Sequence, residues 1–356
     1  MFKNVNAIIK DSIGNIAYRG NVVNGIVAST GYSGNCYDVY ISESEVAYPR
    51  IFTLSRNPDL AVGDKVRILY KNGCKELPII LPPTTAVTPP VLEGWNLLTA
   101  TYDNKFKYVR DNENTPYSMR FSSDGTKMYI VGGTQGTVYQ YTLGTAWDIT
   151  TVNYSGKNFP LYDDGCYYPY GMSFSSNGGK VYILDGVDKK VFQFTLSTPW
   201  DIGTASFDSK TFIVGSQCPN PYDIYVKSDG TKLYTVGYTN DKVFQYTLNT
   251  PYDISTAVYN TKFVYVGGED NYPLDLFFKS DGTQIFILGG GNDKVYHYNI
   301  TTAWDVSTAN YDSVSFALSG QSINNPRCIF FKPDGFKMYI LAYNNYTIYQ
   351  YSLGSK

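Results

Sequence analysis

Phe174-Ser-Ser-Asn-Gly-Gly-Lys-Val-Tyr-Ile183, followed by Lys190-Val-Phe-Gln-Phe-Thr-Leu-Ser-Thr-Pro-Trp-Asp-Ile-Gly-Thr-Ala-Ser-Phe207, decides the fold of this 356-residue chain. The first segment reads as the end of one strand, a tight turn and a second strand. Asn-Gly supplies the positive φ that a two-residue hairpin turn requires. The second segment reads as a third strand, a turn opened by Trp-Asp, and a fourth strand. Close copies recur four more times, anchored on Phe121, Val226, Phe278 and Phe331 at spacings of 53, 52, 52 and 53 residues. The turn dipeptides are Asp124-Gly, Asn177-Gly, Asp229-Gly, Asp281-Gly and Asp334-Gly. Four strands in roughly 50 residues, repeated at a fixed period, are the size of a β-propeller blade.

The ends of the repeat region settle the closure. Trp147, Trp200, Tyr252 and Trp304 open the fourth-strand segment in four copies, whereas the last copy stops at Leu353-Gly-Ser-Lys356. Its missing piece stands at the front: Trp95-Asn-Leu-Leu-Thr-Ala-Thr-Tyr102 matches Trp304-Asp-Val-Ser-Thr-Ala-Asn-Tyr311. Residues 95–356 are therefore expected to form a five-bladed propeller in which residues 95–109 complete the last blade. An open solenoid would need polar capping repeats, and none is apparent.

Upstream, residues 1–82 alternate β-rich runs with turns: Val5–Lys10, Ile16–Arg19, Val22–Ala28, Tyr37–Ser42, Arg50–Leu54, Lys65–Tyr70 and Leu77–Leu81. Several short strands in so few residues suggest a small closed barrel, because closure removes exposed edges. Residues 83–94 are rich in Pro and Thr and read as a semi-rigid linker. The whole chain is thus expected to be all-β, with an OB-like barrel, a linker and a propeller.

Composition narrows the function. A net charge of -2 gives no basic field for nucleic acid or anionic membrane. In residues 1–82, nine Lys and Arg face seven Asp and Glu without aromatic interleaving, so nucleic-acid binding is not expected. No membrane span and no secretory signal core are apparent. Five cysteines at wide spacing (Cys36, Cys74, Cys166, Cys218, Cys328) and one histidine, His297, give neither a disulfide framework nor a zinc motif, so no metal or cofactor is expected.

Most repeated residues read as scaffold. The anchors and the apolar residues two before them should pack between blades, and Asp148, Asp201, Asp253 and Asp305 should bond backbone N–H groups in turns. His297 stands where the other copies carry Gln140, Gln193, Gln245 and Gln350, and reads as structural. Specificity is expected where the copies diverge, in the blade-to-blade loops. The candidates are Asp111, Glu113, Tyr117, Asp164, Tyr167, Tyr168, Tyr170, Asn220, Tyr222, Glu269, Asp270, Tyr272, Asn325 and Arg327. Tyr faces stack on sugar C–H groups, while carboxylates and amides bond hydroxyls, so the mixture suits a glycan; it also suits plain solvated turns. Asp223 and Asp275, at equivalent inner-strand positions in adjacent blades, are the one enzyme-like pair. A glycosidase needs two carboxylates about 5 to 10 Å apart, and neighbouring like charges raise one another's pKa. Two hydrogen-bonded structural aspartates are the simpler expectation.

Two resemblances add to this. The Ser-x-Asp-Gly-x-Lys-x-Tyr turns and Tyr-x-Leu-x-Thr-x-Trp-Asp segments resemble propeller repeats of phage and environmental bacterial proteins. The run Leu60-Ala-Val-Gly-Asp-Lys-Val-Arg-Ile-Leu-Tyr-Lys-Asn-Gly with Pro78-Ile-Ile-Leu resembles the final hairpin of OB-type barrels in phage tail-hub and baseplate proteins. The resemblance implies a non-enzymatic virion or extracellular structural protein. Residues 1–82 would dock it to other proteins of the assembly, and the propeller would contact a cell-surface glycan or receptor. A homo-oligomer or larger complex is expected. A stand-alone glycan-binding lectin and a glycosidase are the alternatives.

Overall fold

The computed structural model describes residues 94–133, 136–321, 323 and 325–354, together with the backbone of five strands nearer the N-terminus. The chain divides into two compact units, Met1–Val91 and Leu92–Lys356.

In the first unit, Val22–Ser29 (β1), Asp38–Glu43 (β2), Val46–Tyr48 (β3), Lys65–Leu69 (β4) and Ile79–Ile80 (β5) form an antiparallel sheet in the order β3-β2-β1-β4-β5. Strand β3, which forms a hairpin with β2, was not among the expected strands. The expected strands Val5–Lys10, Ile16–Arg19 and Arg50–Leu54, and with them the barrel's closure, lie outside the described residues, as do linker residues 83–93.

The second unit is a five-bladed propeller of four-stranded antiparallel sheets. Blade I comprises Pro116–Phe121 (β7), Lys127–Gly132 (β8), Thr137–Leu143 (β9) and Val152–Pro160 (β10). Blade II comprises Pro169–Phe174 (β11), Lys180–Asp185 (β12), Lys190–Leu196 (β13) and Ala205–Ile213 (β14). Blade III comprises Asn220–Val226 (β15), Lys232–Tyr238 (β16), Lys242–Leu248 (β17) and Ala257–Tyr265 (β18). Blade IV comprises Pro273–Phe278 (β19), Gln284–Gly289 (β20), Lys294–Ile300 (β21) and Ala309–Ala317 (β22). Blade V takes Pro326–Phe331 (β23), Lys337–Ala342 (β24) and Thr347–Ser352 (β25) from the C-terminal end. Its outer strand, Thr101–Tyr108 (β6), comes from the start of the unit. Tyr351 pairs with Tyr102 and Ser352 with Thr101 across that junction.

Each aromatic of the Trp-Asp turn is locked in the same way. Trp95, Trp147, Trp200, Tyr252 and Trp304 all have φ between 61° and 74°, a region that disfavours bulky residues. Their backbone N–H groups donate to the carbonyls of Gly335, Gly125, Gly178, Gly230 and Gly282. Their rings lie where a Cβ on those glycines would be, within 2.4 Å. The Asp that follows accepts a backbone N–H two residues on, as expected: Thr150 to Asp148, Gly203 to Asp201, Ser255 to Asp253 and Ser307 to Asp305.

Neighbouring blades are joined by three repeated polar ties. The hydroxyls of Tyr129, Tyr182, Tyr234 and Tyr339 donate to the carbonyls of Trp200, Tyr252, Trp304 and Trp147. The side-chain oxygens of Gln140, Gln193, Gln245 and Gln350 accept the backbone N–H groups of Ile202, Ile254, Val306 and Ile149. Lys157, Lys210, Lys262 and Lys105 pair with Asp201, Asp253, Asp305 and Asp148. The fifth junction, between blades IV and V, lacks all three. Phe286 replaces the Tyr, His297 the Gln and Val314 the Lys, and Asn96 stands for the Asp. The aromatic packing found at other junctions remains: Trp95 lies 5.9 Å from Phe286 and 6.1 Å from Phe277, and Phe286 lies 4.4 Å from Phe331, as Tyr129 lies 4.6 Å from Phe174 and Tyr234 4.5 Å from Phe278. The Gln193 and Gln350 amide nitrogens also donate to Asp208 and Asp103, and His297 keeps that contact alone. Its Nδ1 is 2.7 Å from Asp312, while the buried Nε2 has no partner.

Candidate functional site

The inner strands β7, β11, β15, β19 and β23 surround the propeller axis, and their side chains fall into layers. Three residues before each anchor stand Ser118, Gly171, Asp223, Asp275 and Cys328. All but Gly171 carry side chains, and these are shielded from solvent. Gly171 makes room for Asp223: a Cβ there would meet the Asp223 Cα and Oδ1 at 2.8 Å. Arg120 threads this layer. Its Nη2 is 2.6 Å from Asp223 and 3.5 Å from Asp275, and its Nη1 donates to the Met119 carbonyl and lies 3.0 Å from Cys328 Sγ. Asp275 also accepts the backbone N–H groups of Leu276 and Ile329. Burial and the neighbouring Asp275 hold the Asp223 carboxyl well above the ordinary range, outweighing Arg120. The Cys328 thiol is likewise pushed up by burial. The carboxylate pair noted in the sequence thus does face the axis, but it is shielded and engaged by a guanidinium. The sequence reading gave no role to Arg120.

One residue closer to the loops, the layer changes to Tyr117, Tyr170, Tyr222, Leu274 and Arg327. Tyr117 and Tyr170 rings are 4.5 Å apart, Tyr170 stacks on Tyr222 at 5.3 Å, and the Tyr222 and Tyr272 hydroxyls are 2.7 Å apart. Arg327 crosses the axis. Its guanidinium lies 5.2 Å from the Tyr117 ring of blade I, 5.6 Å from Tyr222 of blade III and 5.0 Å from Tyr343 of its own blade. Tyr238 joins at 5.5 Å from Tyr222 and 5.0 Å from Tyr272. Burial pushes the Tyr117 hydroxyl up to about 12, although Arg327 pulls the other way. The result is a half-exposed tyrosine mouth with one cation at its centre, above a sealed polar layer.

Of the candidates named from the sequence, Tyr117, Tyr170, Tyr222, Tyr272 and Arg327 are brought together here. The others are placed elsewhere. Glu113 is buried and accepts the Thr115 backbone N–H and hydroxyl. Asp270 is buried and caps the Tyr272, Gly291 and Asn292 backbone N–H groups. Glu269 accepts the Tyr298 hydroxyl. Asn220 bonds Thr239, and Asn325 bonds Asn344, on the surface. Asp111, Tyr167 and Tyr168 are exposed and Asp164 is half-buried; Tyr167 packs on Tyr162.

Tyr238 and Tyr343 were missed, yet the sequence carries a signal for them. They occupy a position twelve after the anchor where the other blades have Gly133, Gly186 and Gly290. Those glycines make space for mouth residues: a Cβ on Gly186 would sit 2.0 Å from Tyr170. A separate hollow of about 490 Å³ lies beside the outer strand of blade V, lined by Tyr102, Phe106, Gln321 and Tyr349 among others. Among the described residues there is no cluster of acidic, His and Cys side chains suited to a metal ion, and no helix long and apolar enough to cross a membrane.

No protein-family profile and no curated protein sequence matches the chain. Solved structures do resemble it. A functionally unknown protein from Desulfotomaculum acetoxidans is 14% identical, with TM-score 0.44 over 94% of this chain and 93% of that one. A protein from Lactobacillus plantarum is 11% identical, with TM-score 0.43 over 94% and 92%. A putative 6-phosphogluconolactonase from Bacteroides fragilis is 12% identical, with TM-score 0.41 over 86% and 97%.

Proposed function

We propose that this chain is a non-enzymatic binding protein whose propeller presents the tyrosine mouth to a glycan or glycosylated receptor. The observation that carries the reading is the convergence of Tyr117, Tyr170, Tyr222, Tyr272 and Tyr343 around Arg327. Tyr rings offer flat apolar faces for sugar C–H groups, with hydroxyls at their edges to bond sugar hydroxyls. The polar layer beneath speaks for binding rather than hydrolysis. A glycosidase acid and base must reach the scissile bond, whereas Asp223 and Asp275 are shielded and paired with Arg120. On this reading the first unit attaches the propeller to other proteins of a virion or extracellular assembly, in several copies.

A glycan array probed with the full chain and with Tyr170→Ala tests the binding role. Losing one stacking ring should weaken binding roughly tenfold. An array without a bound glycan, or one unaltered by Tyr170→Ala, contradicts it. Release of reducing sugar from a bound glycan, abolished by Asp223→Asn, would replace it with the glycosidase reading.

A further inference from the structure

The mouth holds a positive charge that the protein does not neutralise. Arg327 takes part in no ion pair with a carboxylate among the described residues. Its Nε and Nη1 are buried without a hydrogen-bond partner. Unmade bonds from a shielded donor are costly, and the Tyr117, Tyr222 and Tyr343 rings compensate only in part, by attraction between cation and ring face. Arg120, by contrast, is fully engaged by Asp223, Cys328 and the Met119 carbonyl one layer below. The side chain of Arg327 is nevertheless partly exposed and so can be reached from the loop side.

From this we infer that Arg327 is a carboxylate subsite, and that the mouth selects acidic saccharides, those bearing a uronic or sialic acid residue, over neutral ones. The inference rests on the glycan-binding reading above. A planar guanidinium presents forked donors matched to a planar carboxylate, and the surrounding rings suit the sugar that carries it. One uncompensated cation matches a single negative charge. A dianionic phosphate would call for a second cation, and the mouth layer of Tyr117, Tyr170, Tyr222 and Leu274 supplies none. Low dielectric around the buried nitrogens strengthens the pairing relative to an exposed arginine.

The test titrates the full chain with two matched pairs, 3′-sialyllactose against lactose and trigalacturonic acid against its carboxyl-reduced counterpart. Wild type should bind at least one acidic member at least tenfold tighter than its neutral partner, and the difference should shrink as salt is raised. Arg327→Gln should abolish the preference, so that the acidic and neutral members of each pair bind alike. Arg327→Lys, which keeps the charge but not the fork, should retain part of it. A wild type that binds neutral and acidic members equally, or a preference that survives in Arg327→Gln, overturns the carboxylate subsite and leaves the glycan-binding mouth standing. Failure of every saccharide, together with an empty glycan array, overturns both.

Discussion

The blade IV–V seam and the axis mouth are two places where the five copies depart from one another, and they depart in opposite ways. At the seam, polar ties give way to apolar contacts: Phe286 for Tyr, Val314 for Lys, with Trp95 stacked on the exchanged ring. The group left over there, His297 Nε2, is buried. At the mouth, the substitutions bring polar groups in and leave Arg327 with unmet donors. The comparison separates two causes of divergence within a repeat. A departure whose groups are all buried marks packing, and one that leaves an unpaired cation on a partly exposed side chain marks a site. The two ends of the propeller meet one step further round, inside blade V, where β25 pairs with β6.

The largest effect should come from the lock shared by every blade. Trp200→Ala removes a ring packed on Gly178 and Phe174, at roughly 3 to 5 kcal/mol. Trp95→Ala at the seam should cost at least as much, because none of the three repeated ties supports that junction. A smaller loss at Trp95 in thermal or denaturant unfolding would break the comparison.

Restoring a tie should sharpen it. Phe286→Tyr places a hydroxyl where the four other blades bond a carbonyl, and about 0.5 to 1.5 kcal/mol of added stability is expected, with saccharide binding unchanged. A destabilised variant would mean that the seam is apolar because it has no room for the tie.

The polar axis layer should show itself through pH. The Asp223 carboxyl is held above its ordinary value, so the native state keeps a proton that the unfolded chain releases above about pH 4. Its contribution therefore falls as pH rises from there toward the raised native value. Asp223→Asn should remove this component from the pH dependence of the melting midpoint, and an unaltered slope would contradict the assignment. The smallest effect belongs to the half-exposed Lys–Asp ties: Lys210→Ala should cost under about 1 kcal/mol, visible as a slight drop in midpoint that high salt erases.

The blades were legible because each is one supersecondary unit repeated at a fixed spacing. Asp-Gly turns, alternating apolar runs and Trp-Asp caps all point to the same four strands, and the displaced Trp95 segment shows where the ring closes. The mouth was legible in part. The diverging loops pointed to Tyr117, Tyr170, Tyr222, Tyr272 and Arg327, since these flank or start the inner strands. Glu113 and Asp270 lie in the same loops but turn inward to cap backbone, because buried N–H groups must be paired. Loop composition cannot distinguish an acceptor used by the fold from one left for a ligand. Arg120 reaches Asp223 and Asp275 from 103 and 155 residues away in sequence, a contact that only ring closure creates. Tyr238 and Tyr343 escaped notice because they replace glycines at a position where the side chain's role depends on the neighbouring blade.

Hydroxyl-radical footprinting of the full chain, free and saturated with its best-bound array glycan, tests the central claim most directly. The account predicts protection of Tyr117, Tyr170, Tyr222 and Tyr272, with Tyr265 on the outer strand of blade III and Phe106 on that of blade V, both exposed, modified as before. Protection at Phe106 and Tyr349 would move the site to the hollow beside blade V. That result, or unchanged modification of the mouth tyrosines, would contradict the account.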